Sequence, residues 1–129
     1  MCNALLDKGL AGQTVINAMM QIPRHAFLES GFHQHAYMDK AFPIAAGQTI
    51  SHPSTVAWQS QLLELERGMK VLEIGTGCGY QAAVLCELGV KLFTIERQKE
   101  LFDFSKTILK DLGYRAEQKF GDGFKGMPI

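Results

Sequence analysis

The run Val71-Leu72-Glu73-Ile74-Gly75-Thr76-Gly77-Cys78-Gly79-Tyr80 constrains the chain more than any other stretch. A short apolar segment of strand formers meets glycines at alternate positions, and a helical segment, Gln81 to Leu88, follows until Gly89 stops it. Glycine is needed where the backbone reverses tightly and where a ligand must touch it. Val90 to Ile95 reads as a second strand. Leu101, Phe104, Ile108, Leu109 and Leu112 then form one helical stripe ended by Gly113, and Arg115 to Phe120 supplies a third strand before Gly121-Asp122-Gly123. Strand, helix, strand, helix, strand implies parallel strands joined by right-handed crossovers. The expected fold class is therefore α/β, a Rossmann-like partial doubly wound parallel sheet in the order 3-2-1.

Upstream of this unit the pattern differs. Leu5, Leu6, Leu10, Val15, Ile16, Met19 and Met20 fall at helical spacings, and Pro23 can open another short helix. Between Gly31 and Pro53 no period persists, which predicts a long loop of the functional kind. Pro53 can open a helix running to about Leu65. This divides the chain into residues 1–65, short helices and an active-site loop, and residues 66–129, the first half of a cofactor-binding unit, within one compact domain.

Composition narrows the function. Thirteen basic residues balance 13 acidic ones among 129, so no long-range field holds a polyanion and nucleic acid is not an expected partner. Cys2, Cys78 and Cys86 form no C-x-x-C pair, which fits a reducing cytoplasm better than a disulfide framework. No apolar run approaches the ~20 residues that span a bilayer, so no membrane partner is expected. His33, His35 and Asp39 lack the further ligands of a metal site, and none is expected.

The glycine turn points to a nucleoside cofactor. Glu96 stands about 20 residues beyond it, at the end of the next strand, where its two acceptor oxygens match a ribose diol. Nicotinamide dinucleotides use G-x-G-x-x-G, but here Tyr80 occupies the last glycine position and the spacing is G-x-G-x-G. Glu73 beside the turn repels phosphate and suits a cation; the alternative is a strand-end carboxylate capped by backbone donors. Both departures favour S-adenosyl-L-methionine, which carries an ammonium and a sulfonium and no phosphate. Asp122, between two glycines after the third strand, could accept a hydrogen bond from an adenine amino group or be an ordinary Asp-Gly turn.

The segments Ile22-Pro23-Arg24-His25-Ala26-Phe27, Pro43-Ile44, Gly47-Gln48-Thr49-Ile50-Ser51, Val71 to Val84, Thr94-Ile95-Glu96-Arg97 and Gly121-Asp122-Gly123 occur in the order of the signatures of the protein-L-isoaspartate O-methyltransferase family, which the chain resembles. The resemblance implies an S-adenosylmethionine-dependent methyltransferase fold and methyl transfer to the free carboxylate of L-isoaspartyl residues in damaged proteins. It makes Ser51 the active-site residue, and extends the candidate cofactor contacts from Glu73, Gly75, Gly77, Gly79, Glu96 and Asp122 to Thr49, Ile50, Ser51, Arg97 and Gly123. Read from its neighbours alone, Ser51 is either a positioning donor or a polar residue at the entrance to the helix after Pro53. The family continues into further strands beyond Ile129. Without them the strand Val71 to Ile74 becomes an apolar edge open to self-association, and the alternative reading is a non-catalytic interaction module.

Overall fold

The computed structural model describes residues 1, 2, 5, 9, 12–28 and 30–123. Leu6 and Leu10, expected on the first helical stripe, and the Gly126-to-Ile129 end lie outside the described residues. Helix α1 (Gln13–Met20) buries Val15, Ile16, Ala18 and Met19 on one face and leaves Met20 in solvent. After Pro23 the chain makes one turn of 3-10 helix, Arg24–Phe27.

The segment expected as a loop contains regular structure. Two 3-10 turns, Ser30–His35 and Ala45–Gly47, accompany an antiparallel pair, β1 (Phe42–Pro43) with β2 (Thr49–Ile50), in the register Phe42 to Ile50 and Pro43 to Thr49. Strands of two residues are too short to show a period of 2, and the pair forms because Phe42 and Ile50 bury side by side. Helix α2 (Pro53–Leu62) starts at its proline as expected but stops short of Leu65, where Glu64 takes a φ of 47°.

The second part follows the expected topology. Strands β3 (Lys70–Ile74), β4 (Lys91–Glu96) and β5 (Glu117–Phe120) form a parallel sheet in the order β3-β4-β5, with α3 (Tyr80–Glu87) and α4 (Lys99–Asp111) as the crossovers. Strand β5 is two residues shorter at its start than the sequence suggests. Helix α3 is buried on most sides, with Ala82, Ala83, Val84 and Leu85 all inside, and it packs on α1. One core thus runs from Leu5 and Ile16 through Phe27 to Leu92 and Leu109. This core fixes the helical segment against the carboxyl ends of the strands, where parallel sheets bind ligands.

Among the described residues β3 pairs on one side only, with β4, and Leu72 and Ile74 are 44% and 63% exposed. An apolar edge with unpaired backbone groups is a template for another strand. The chain of residues 1–129 alone is expected to self-associate at high concentration, and Leu72→Lys to reduce it. Sedimentation tests this, and a 14.3 kDa species at every concentration would show that the edge recruits no partner.

Candidate functional site

The site is built on the turn between β3 and α3. Gly75, Gly77 and Gly79 have φ of 86°, 59° and 98°, a left-handed region that side chains disfavour. The turn is tied to the neighbouring strand, because the Gly75 and Thr76 amides both donate to the Ile95 carbonyl, at 2.8 and 3.3 Å.

Glu96 closes the other side. It is 6% exposed, and its carboxylate accepts from the Gly77 amide at 2.9 Å through Oε1 and from the Gln98 amide at 2.8 Å through Oε2. A carboxylate has about four acceptor directions, so two remain for a ligand. The Glu96 carbonyl in turn accepts from the Gly121 amide at 3.0 Å, which draws the end of β5 to the same place.

A cleft of about 430 Å³ opens at this point, within the usual range for small-molecule sites. Of the residues singled out in the sequence, Thr49, Gly75, Gly77, Glu96, Arg97, Asp122 and Gly123 line it. Gln48, Ile74, Ile95, Gln98 and Gly121 line it too and were not singled out as contacts. For the last four the signal was positional, since the last residues of adjacent parallel strands, and those just after them, face one crevice, whereas Gln48 precedes β2 of the antiparallel pair. A second cleft, about 290 Å³, shares Thr49, Gly75 and Gly77 and adds Ile50, Ser51 and Glu73. The candidate residues therefore divide between two clefts that meet at the glycine turn.

Gly79 lines neither cleft. A Cβ there would lie 3.3 Å from Ser105 Cβ and 3.5 Å from Leu109 Cγ, so this glycine lets α4 pack against the start of α3. Glu73 lies outside the first cleft, and the Thr94 hydroxyl donates to its Oε1 at 2.7 Å. Since Thr94 spends its proton on Glu73, the Thr76 hydroxyl must donate to Thr94, giving a buried chain Thr76 to Thr94 to Glu73. Loss of water pushes the Glu73 carboxyl up to about 7, opposed by the Thr94 bond and reinforced by the negative Glu96. Glu73 is thus held by a side-chain hydroxyl, not by the backbone donors of the alternative drawn from the sequence.

Ser51 is exposed, two residues before α2, and its carbonyl accepts from Arg24 Nη2 at 3.0 Å. His33 and Asp39 have other partners than a metal: His33 Nε2 meets the Leu28 carbonyl at 2.9 Å, and Asp39 accepts from the Ser54 amide at 2.9 Å. Cys2, Cys78 and Cys86 are free thiols, and burial pushes Cys78 and Cys86 up to about 11.

The fold and this crevice define the class as a Rossmann-like methyltransferase fold. A solved protein-L-isoaspartate O-methyltransferase superposes with a TM-score of 0.88 at 29% identity, over 99% of this chain and 44% of its own. A Plasmodium falciparum structure described as a putative protein-L-isoaspartate O-methyltransferase in complex with S-adenosyl-L-homocysteine gives a TM-score of 0.78 at 21% identity, over 93% of this chain and 61% of its own. The sequence pattern of the protein-L-isoaspartate(D-aspartate) O-methyltransferase family matches residues 1–129, and the chain belongs to that family. Proteins named protein-L-isoaspartate O-methyltransferase from Christiangramia forsetii and Cytophaga hutchinsonii are 59% and 57% identical over 94% and 95% of this chain. The chain spans 57% and 56% of the length of those relatives.

Two measurements follow from the geometry. Gly79→Ala should destabilise by about 2–3 kcal/mol, because positive φ and contact with Ser105 act together, whereas Gly113→Ala, with φ 83° and open space around it, should cost about 1 kcal/mol. Equal shifts in denaturant midpoint would show that packing at Gly79 adds nothing. For Glu73, a folded value near 7 against an ordinary 4.5 means that the folded state holds a proton the unfolded state has lost. Its contribution to stability should fall as pH rises from about 4.5 to 7, and Glu73→Gln should remove that slope from a series of unfolding curves.

Proposed function

We propose that this chain supplies the cofactor cleft and the acceptor-side loop of a protein carboxyl methyltransferase that acts on L-isoaspartyl residues of damaged proteins. The observation that carries this reading is the convergence of the Thr49 loop, the glycine turn and the oriented Glu96 carboxylate on one cleft. Membership of the family and the names of the relatives support the same reaction.

The residues of the cleft fit S-adenosylmethionine. Glu96 keeps acceptor directions for a ribose, Gly75 and Gly77 present bare backbone, and residues 73–80 contain no basic side chain to attract a pyrophosphate. Asp122, at the far end of the same cleft, is suited to an adenine amino group. When bound, this cofactor supplies a sulfonium-activated methyl group.

What remains for the protein is positioning. The acceptor is a carboxylate with an ordinary pKa of about 4, ionised at neutral pH, so methyl transfer to its oxygen needs no general base. This agrees with the site, where no histidine meets Ser51 in a hydrogen bond among the described residues. Ser51, exposed beside the second cleft, is suited to donate to the incoming carboxylate and hold it facing the first.

S-adenosylhomocysteine should bind the chain and NAD should not, and Glu96→Gln should weaken binding by about 1.5–3 kcal/mol. Calorimetry showing NAD binding and no heat from the sulfur compound would remove this reading. With a methyl-labelled donor and an isoaspartyl peptide, Ser51→Ala should lower turnover at saturation by about 10-fold or more while cofactor affinity changes by less than about 3-fold. The reverse pattern would assign Ser51 to the cofactor.

A further inference from the structure

Arg24 has no exposed surface and is among the largest fully buried side chains. A buried guanidinium favours engaged donors, and here Nε and Nη2 are engaged while Nη1 meets no hydrogen-bond partner among the described residues. Nε donates to the Ala36 carbonyl at 2.6 Å, and Nη2 donates to the Ser51 carbonyl at 3.0 Å and reaches the Lys40 carbonyl at 3.5 Å. The group also stacks on Tyr80, its Cζ lying 4.5 Å from the ring centroid, and Tyr80 is the first residue of α3, directly after the glycine turn. Phe27, three residues beyond Arg24, meets the same ring edge-on at 5.7 Å between centroids.

These contacts join parts of the molecule that no strand or helix joins. The Ser51 loop lies at one end of the guanidinium and the cofactor turn at its face. Asp39, from the loop whose Lys40 and Ala36 carbonyls Arg24 holds, takes the Ser54 amide at 2.9 Å just after Ser51. The backbone is thus fastened at Ser51 and again just after it, by Arg24 at the Ser51 carbonyl and by Asp39 three residues on.

Resting on the methyl-transfer reading above, we infer that Arg24 is a positioning residue that sets Ser51 against the glycine turn through a backbone hydrogen bond and a stack on Tyr80. It lines neither cleft. Lysine cannot replace it, since an ammonium has neither the planar face that stacks on the ring nor the fork that reaches separate carbonyls. A displacement of about 1 Å between reacting groups can lower a rate about 100-fold with little change in ground-state binding.

The test uses the full chain with Arg24→Lys and Arg24→Met. Amide hydrogen exchange at Ser54 and Val56, whose amides donate to the Asp39 carboxylate and the His52 carbonyl, should quicken by about 10-fold or more in both, with exchange in Lys91–Glu96 unchanged. In methyl transfer to an isoaspartyl peptide, kcat should fall by about 10- to 100-fold while the KM for peptide and the affinity for S-adenosylhomocysteine change by less than about 3-fold. Unchanged exchange at Ser54 and Val56 would overturn the inference, as would equal acceleration in the central strand, which would make Arg24 a general support of the core. Full rescue of kcat by lysine would also overturn it. If the parent chain neither binds S-adenosylhomocysteine nor methylates, the proposed function fails, and faster exchange confined to Ser54 and Val56 still upholds the positioning role.

Discussion

The Ile95 carbonyl is the point on which the molecule turns. It lies in β4, which pairs on both sides, and it accepts the amides of Gly75 and Thr76 as the chain leaves β3. The sharp left-handed turn is thereby fastened to the middle of the sheet. Everything that makes the crevice follows from it: the Gly77 amide comes to Glu96, α3 leaves in the direction that buries Ala82 to Leu85, and the end of β5 is drawn to the Glu96 carbonyl. Parallel strands deliver their carboxyl ends to one side, so a ligand cleft at this edge is a consequence of topology before it is one of chemistry.

Charge is handled inside this frame by separation. Glu73 and Glu96 end neighbouring strands, and two ionised carboxylates so placed would repel. Glu96 is met by backbone amides that favour its charge, whereas Glu73 is dried by burial and met by one hydroxyl from Thr94. The two acids therefore differ in their partners, Glu96 accepting from two backbone amides and Glu73 from one hydroxyl with its titration moved up to about 7.

The amino-terminal segment does more than cover the core. Its buried Arg24 and the Asp39 that follows hold the backbone at Ser51 and at Ser54, and the stack on Tyr80 connects that loop with the start of α3. A loop built from two-residue strands and 3-10 turns has little stiffness of its own, and such a loop keeps a defined position only when buried donors hold its carbonyls.

The alternation of strands and helices after Lys70, the sheet order and the place of the glycine turn were legible in the sequence because they are local: a period, a stop signal, a spacing between residues near in the chain. So were Gly75, Gly77, Glu96 and Asp122 on the first cleft, since strand ends and the turns after them must meet, whereas Thr49, Arg97 and Gly123 were reached through the family's signatures. The pairing of Phe42 with Ile50 was not legible, because two residues carry no period. Nor were the orientation of Glu73 towards Thr94, the packing of Gly79 under Ser105 and the grip of Arg24 on Ser51. In each of these the partner is a backbone carbonyl, a hydroxyl or a small side chain 21 or more residues away, groups too common in any sequence to mark their match, and only the closing of the core selects among them.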